Sequence, residues 1–324
     1  MSFDAMGTVN EITFSAASTA RAMAFRDAVF DWLSDFESKY SVYIDDSLIS
    51  EINRQSGLGA VAVDPMTDEL LALCHWYNWK TRGLFDATSG PLIKLWDFHR
   101  KHDALPGKAE IDSARERVGW QNVERTAGQV KLRLAGMILD FGGIGKEYAV
   151  DCLARMATEA GIADILVNLG RDIRGAGHPP EGGGWRVGLE RPDGTNRCWA
   201  GVCLENMSIC CSGHYARCFF LDGVRYSHII NPLTGYPSSV NCDAVWVLSP
   251  SCVEAGMLST TAALLECEDA LRLISSEMGA SGCYWNKGGR YETRMFSSWI
   301  IRRQKKADRV ADGIDAAACV GVAC

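Results

Sequence analysis

Short apolar or alternating runs bounded by turn residues recur along this chain, and stretches with apolar residues at helical spacing lie between them. That alternation constrains the fold most tightly, because each strand face and each helix stripe must be buried against another layer. The runs "TVNEITF", "DILVNLG", "WRVGLE", "RCFFLDG", "RYSHII" and "AVWVLS" read as strands. "QVKLRLAGMILDF" reads as strand material ending at Gly142-Gly143, and "GCYWNKGGRYETRMF" as a hairpin turning at Gly288-Gly289. Phe25, Val29, Leu33, Phe36 and Tyr40 predict a helix over 18–40, and Leu70 to Trp79 is a second helical stretch. Ala149, Leu153, Met156 and Ala160 form a third stripe, closed by Gly161 as a C-cap. "VEAGMLSTTAALLE" (253–266) is a fourth, with Gly256 in what reads as its first turn.

With 324 residues, 47% of them hydrophobic, the chain can bury a sizeable core in one large domain or two interleaved lobes. A net charge of -7 argues against nucleic acid or an anionic membrane as partner. No apolar run is long enough to span a bilayer, and the opening residues carry no basic or apolar leader pattern. The thirteen cysteines are scattered and lack zinc spacing, so they read as reduced thiols of a cytoplasmic protein. The tail over 303–324, with the basic cluster "RRQKK" just before and into it, reads as loose.

Four segments hold more Gly, Asp, Thr and His than packing requires: 83–100, 139–151, 167–172 and 226–237. In "LDFGGIGKEYAVD" three glycines stand between a strand and a helix N-terminus, where amides and the helix dipole can hold a diphosphate. The spacing matches neither a dinucleotide fingerprint nor a Walker loop. Each segment alone also has a plain structural reading. A glycine turn can be only a turn, His228 only a strand residue, and Asp86 only a helix cap.

Taken in order, the segments resemble the ApbE-type FAD:protein FMN transferases. The resemblance runs through "AMGT" (5–8), "YSVYIDDSLISEIN" (40–53), "FDATSGPLIKLWDF" (85–98), "LDFGGIGKEYAVD", "ILVNLGRDIRGAG" (165–177), "WRVGLERP", "SGHYARCFF", "HIINPLTGYP" and "EAGMLSTTAALL". It implies an α+β class and a two-lobed ApbE-like fold of mixed sheets and packed helices, with residues 1–302 as the FAD-binding, flavin-transferring domain. It also implies transfer of FMN from FAD, with Mg²⁺, to a Thr or Ser of a partner flavoprotein, and release of AMP. The same resemblance leaves open a non-catalytic flavin- or partner-binding relative, or a pyrophosphatase giving FMN and AMP. Carried over, Met6, Tyr43, Leu84, Phe85 and Asp86 border the flavin or ribityl chain. Asp140 and Lys146 line the adenosine and diphosphate end. Ile230 packs by the ligand, and Ser259 stands among the FAD-binding residues. Gly143 offers a carbonyl and Thr260 a hydroxyl to the metal, and His228 is the general base.

Four positions depart from the family pattern. Gly256 stands where the family has the Asp that binds the metal, Asn231 replaces the Asp of "HIIDP", His214 the Asp of "SGDY", and Arg171 the second Gly of "LGGD". The loss at 256 predicts weakly held Mg²⁺ and low turnover. It also predicts that Gly256→Asp tightens Mg²⁺ without harm to its helix. His214 is the alternative base should His228 prove structural.

Overall fold

The structure, a computed structural model, describes residues 1–98, 100, 104–215, 217–301 and 320–322. In chain order these form β1 (Ser2–Ala5), β2 (Thr8–Phe14), α1 (Thr19–Tyr40), α2 (Leu48–Arg54), β3 (Val61–Ala62), α3 (Pro65–Lys80), α4 (Gly90–Trp96) and α5 (Lys108–Arg115). There follow β4 (Val123–Thr126), β5 (Gln129–Leu132), α6 (Gly145–Glu159), β6 (Ile165–Leu169), β7 (Asp172–Ala176), β8 (Trp185–Glu190), β9 (Cys198–Leu204) and β10 (Met207–Gly213). The chain continues through β11 (Cys218–Leu221), β12 (Val224–Ser227), β13 (Ala244–Ser249), α7 (Cys252–Ala262), α8 (Cys267–Ser275), β14 (Ser281–Asn286), β15 (Gly289–Glu292), α9 (Phe296–Trp299) and β16 (Val320–Val322).

Two compact units divide the chain. One contains Met1–Asp31, Lys146–Ala216 and Asn241–Cys324, and the other Trp32–Gly145 and Arg217–Val240. The first is built on an eight-stranded sheet in the order β1-β2-β6-β7-β10-β13-β14-β15. Every pairing in it is antiparallel. A second sheet, β16-β8-β9, pairs β8 and β9 antiparallel. Trp185, Val187 and Leu204 of that sheet meet Leu166, Ile173, Trp246 and Phe296 in one buried cluster. The period-2 alternation of β8 and β9 thus closes a sandwich-like core over part of the larger sheet.

The second unit carries the small sheets β3-β5-β4 and β11-β12. Its core contains Leu92, Trp96, Ile111 and Ala114, with Ile230 and Tyr226 packed against them. Trp96 is fully buried and donates its indole N–H to the Gly235 carbonyl at 2.9 Å, so the indole carries no unpaired polar atom into the core. Gly235 has φ of +79°, and a Cβ there would stand 2.8 Å from Ile111. Only glycine fits that turn.

The helical stripes appear where the spacing places them, and Gly161 ends α6 at φ +69°. The hairpin β14–β15 also forms as expected. Three boundaries differ. The strand expected through Phe141 stops at Leu132, because Gly136 turns the chain at φ +78°; Ile138 keeps only an isolated bridge to Ser89. The strand expected to end on His228 stops at Ser227, whose hydroxyl accepts the Ile229 N–H and bends the chain. Helix α7 stops at Ala262, and it begins at Cys252, so Gly256 lies in its second turn. The tail expected to be loose lies outside the described residues, save Val320–Val322, which pairs parallel with β8. Ten described cysteines carry reduced thiols. Cys211 is disulfide-bonded and departs from the reading of all thirteen as thiols. Among the described residues no helix is long and apolar enough to cross a membrane.

Candidate active site

In the unit containing Trp32–Gly145, residues 84–89 make a tight knot. The Asp86 carboxylate accepts the Thr88 N–H at 2.8 Å and the Thr88 hydroxyl at 2.6 Å through one oxygen. Its other oxygen accepts the Trp120 N–H at 3.0 Å and the Asn78 amide at 3.1 Å. Burial pushes this carboxyl above the usual range, and the hydrogen bonds pull it back. Asp86 is therefore a hub that fixes the loop carrying Leu84 and Phe85, with both oxygens spent inside the protein. Phe85 is buried, Leu84 half-buried and Tyr43 82% exposed, which leaves the Tyr43 ring open to a flat aromatic ligand.

At the glycine corner, Asp140 Oδ1 accepts the Gly142 N–H at 2.7 Å. The Phe141 carbonyl accepts the N–H groups of Ile144 and Gly145. The expected phosphate cradle is thus narrower than its glycines suggest, because three of its donors are already used. Gly142 and Gly143 are exposed.

His228 sits in the same unit, half-buried, with Nδ1 at 3.0 Å from the Arg217 carbonyl. A proton on Nδ1 donated to that carbonyl makes Nε2 the basic nitrogen. Asn231, the departure from "HIIDP", shapes the following turn: its Oδ1 accepts the Leu233 N–H and its carbonyl the Gly235 N–H. Half-buried Ile230 pairs with Pro237 beyond that turn and packs on the Trp96 cluster.

The other unit holds Met6, Lys146, Ser259 and Thr260. Met6 lies in the left-handed region at φ 51°, followed by Gly7, and this turn joins β1 to β2. Ser259 is 1% exposed; its hydroxyl donates to the Gly256 carbonyl at 3.0 Å and meets Ser212 Oγ at 2.9 Å. Its hydroxyl is spent within the protein. Thr260 is half-buried and touches Ser212 Oγ at 3.0 Å. His214 is 2% exposed with Nε2 at 2.9 Å from the Ala263 carbonyl, near the C-terminus of α7. A ring so buried and so tied is a structural residue, not the alternative base. Arg171 holds φ of +79° in the turn between β6 and β7, and its N–H donates to Asn168 Oδ1 at 2.9 Å. A side chain there carries strain on the order of 1 kcal/mol that the family's glycine avoids.

Three acidic residues of this unit were not singled out from the sequence. Asp151 receives the N-terminus of α7: it accepts the N–H groups of Cys252 and Val253 and the Ser251 hydroxyl, and pairs with Arg174 at 3.0 Å. Glu147 is buried, and burial pushes its carboxyl above the usual range. Asp172 is pushed up to about 7, first by burial and then by the neighbouring charge of Glu147. The fold therefore favours the protonated acid at Asp172. That contribution is complete below the unfolded pKa of about 4 and is lost as pH rises through about 7. In metal-free buffer, melting temperature should fall over that window, and Asp172→Asn should flatten the fall. An unchanged slope in the variant would show that Asp172 is ionised throughout.

A model of the ApbE family matches residues 6–285. The chain belongs to the ApbE family. Among its ApbE relatives, the FAD:protein FMN transferase of Salmonella typhimurium is 30% identical over 306 residues, covering 91% of this chain and 87% of that protein. The FAD:protein FMN transferase of Treponema pallidum is 30% identical over 296 residues, covering 86% and 82%. The solved flavin transferase ApbE from Vibrio cholerae superposes with a TM-score of 0.83 at 26% identity, covering 92% of this chain and 98% of that one. The ApbE protein from Thermotoga maritima does so with a TM-score of 0.84 at 27% identity, covering 93% and 99%. The mixed α+β architecture above is therefore the ApbE fold.

Proposed function

We propose that this chain transfers FMN from FAD to a Thr or Ser of a partner flavoprotein. The observation that carries the reading is the match, over about nine-tenths of the chain, to relatives named FAD:protein FMN transferase. Exposed Tyr43 with Leu84 and Phe85 offers an apolar and aromatic border for the flavin. Asp86 acts behind them as the hub of their loop. Asp140 and Lys146 serve the adenosine and diphosphate end, and Met6 the flavin or ribityl chain.

The acceptor hydroxyl is far too weak an acid to lose its proton unaided, and His228 Nε2 takes it. The hydroxyl oxygen bonds the FMN-side phosphorus as the bridging P–O bond breaks. The electron pair leaves on the phosphate of AMP, and a phosphoester remains. Mg²⁺ when bound would neutralise charge on the phosphate oxygens. The Thr260 hydroxyl is a neutral group for it, and Gly256 contributes no side chain. Among the described residues no group of three His, Cys, Asp or Glu side chains is close enough to enclose a metal. The site nonetheless fits a cation, because the space beside Gly256 holds the carboxyl of Glu147 with one buried, unpartnered oxygen.

Incubation with FAD, Mg²⁺ and an acceptor flavoprotein should release AMP in step with covalent flavin on the acceptor. Free FMN and AMP without labelling would assign a pyrophosphatase instead, and FAD bound without turnover a binding relative.

A further inference from the structure

Helix α6 presents Glu147 and helix α7 presents Gly256 to the same space. A Cβ built on Gly256 would stand 2.5 Å from Glu147 Cγ, 2.7 Å from its Oε1 and 3.0 Å from its Cδ. Real Cβ atoms do not approach so closely, so a side chain at position 256 would require the Glu147 carboxyl to move from its present place. The volume that Gly256 leaves open is filled by a carboxyl from the neighbouring helix.

That carboxyl is built in an unusual way. Glu147 is 7% exposed, and its Oε2 is buried with no hydrogen-bond partner among the described residues. A Glu in the first turn of a helix ordinarily points to water and needs only the helix dipole. Burying a carboxyl oxygen without a donor is expensive, and such groups are normally paired or bound to a metal. The charged neighbours acting on Glu147 are Asp172, Lys146 and Asp151. Asp151 is already paired with Arg174. Lys146 is the cation whose charge acts on both Glu147 and Asp172 among the described residues. Glu254, the other acid of α7 near Gly256, accepts from the Ser249 hydroxyl at 2.5 Å and is committed there.

We propose that Glu147 is the carboxylate by which this chain holds a divalent cation, taking from α6 the place that the family fills from position 256 of α7. The proposal rests on the reading of the site as a Mg²⁺-dependent FMN transferase and names the residue that gives the metal its protein charge. The expectation of a weak metal site with only neutral ligands is thereby replaced. So is the expectation that Gly256→Asp improves the protein. With Glu147 in place the new Asp must displace its carboxyl and adds a further acid beside two others.

The test is a Mn²⁺ titration followed by electron paramagnetic resonance, with ADP standing in for the diphosphate, together with thermal melts of each form. Glu147→Gln keeps the shape and removes the charge. It should weaken Mn²⁺ binding on the order of tenfold or more, since ligand charge tunes cation affinity, and its melt without metal should not fall. Gly256→Asp alone should melt lower than the natural protein. Glu147→Gly combined with Gly256→Asp moves the carboxylate back to α7 and should recover both the melt and the Mn²⁺ affinity. Equal Mn²⁺ affinity in the natural protein and Glu147→Gln, or no Mn²⁺ binding by the natural protein, would overturn the proposal. So would a single Gly256→Asp variant that melts normally and binds Mn²⁺ more tightly. Metal binding is read without FMN transfer, so the two readings fail separately. Glu147-dependent Mn²⁺ binding with no flavin transfer would sink the transferase reading alone. Full transfer with Mn²⁺ affinity indifferent to Glu147 would sink this one alone.

Discussion

Replacing His228 with alanine should lower FMN transfer by roughly 10²–10⁴-fold, the usual worth of a positioned general base, while FAD affinity stays within a small factor. The geometry gives the reason. The His228 ring is half-buried and anchored through Nδ1 to the Arg217 carbonyl at 3.0 Å, so its orientation is set before any substrate arrives. Its backbone N–H donates to the same carbonyl, which locks both ends of the residue to the loop after β10. A ring held in this way loses little freedom on meeting the acceptor hydroxyl, which is how positioning lowers a barrier. His214 cannot take over, since it is buried and tied to Ala263. Turnover unchanged in His228→Ala would make His228 a structural residue.

Asp151→Ala should destabilise the protein by about 3–5 kcal/mol, the range for breaking a largely buried charge pair. The carboxylate accepts two backbone N–H groups and a hydroxyl at the start of α7, where a negative charge also meets the helix dipole. Arg174 would be left three-quarters buried without its carboxylate partner. Asp151→Asn keeps an acceptor but loses the charge, and should fall between the two. Urea unfolding of the three forms checks this. Because α7 carries Thr260 and Gly256, the loss should also weaken cation binding. A change below about 1 kcal/mol, the ordinary worth of an exposed pair, would show that Ser251 alone caps the helix.

Much of this was legible in the sequence, and the reasons are local. The α1 and α6 stripes follow from apolar residues at helical spacing, and the end of α6 from Gly161, because helix packing and capping depend on near neighbours. The β14–β15 hairpin was legible for the same reason. The strand expected through Phe141 failed at Gly136, where a left-handed turn interrupts an apolar run. His228 was named from its own segment, and the structure adds its anchor on the Arg217 carbonyl. The site was not legible where a residue acts across the fold. Asp151 caps a helix 101 residues later in the chain, and nothing around "YAVD" marks it as a cap. Glu147 sits in "GKEYA" as an ordinary first-turn acid until α7 is folded beside it. One signal was present. A missing carboxylate at Gly256 and an extra one in the glycine corner suggest an exchange, but only the packing of α6 on α7 joins them. Asp86, Ser259 and Asn231 were found as motif residues, and only their hydrogen bonds show that they hold loops and turns together.

The central claim is that the chain makes a flavin phosphoester on a protein. Its most direct test is intact-mass and peptide mass spectrometry of an acceptor flavoprotein domain after incubation with this chain, FAD and Mg²⁺. A second domain, with its accepting threonine replaced by alanine, is treated in parallel. The account predicts a mass increase of one FMN on the threonine peptide, matched by one AMP released, and no increase on the alanine domain. AMP and free FMN produced at equal rates with both domains, and no flavin on either, would contradict it.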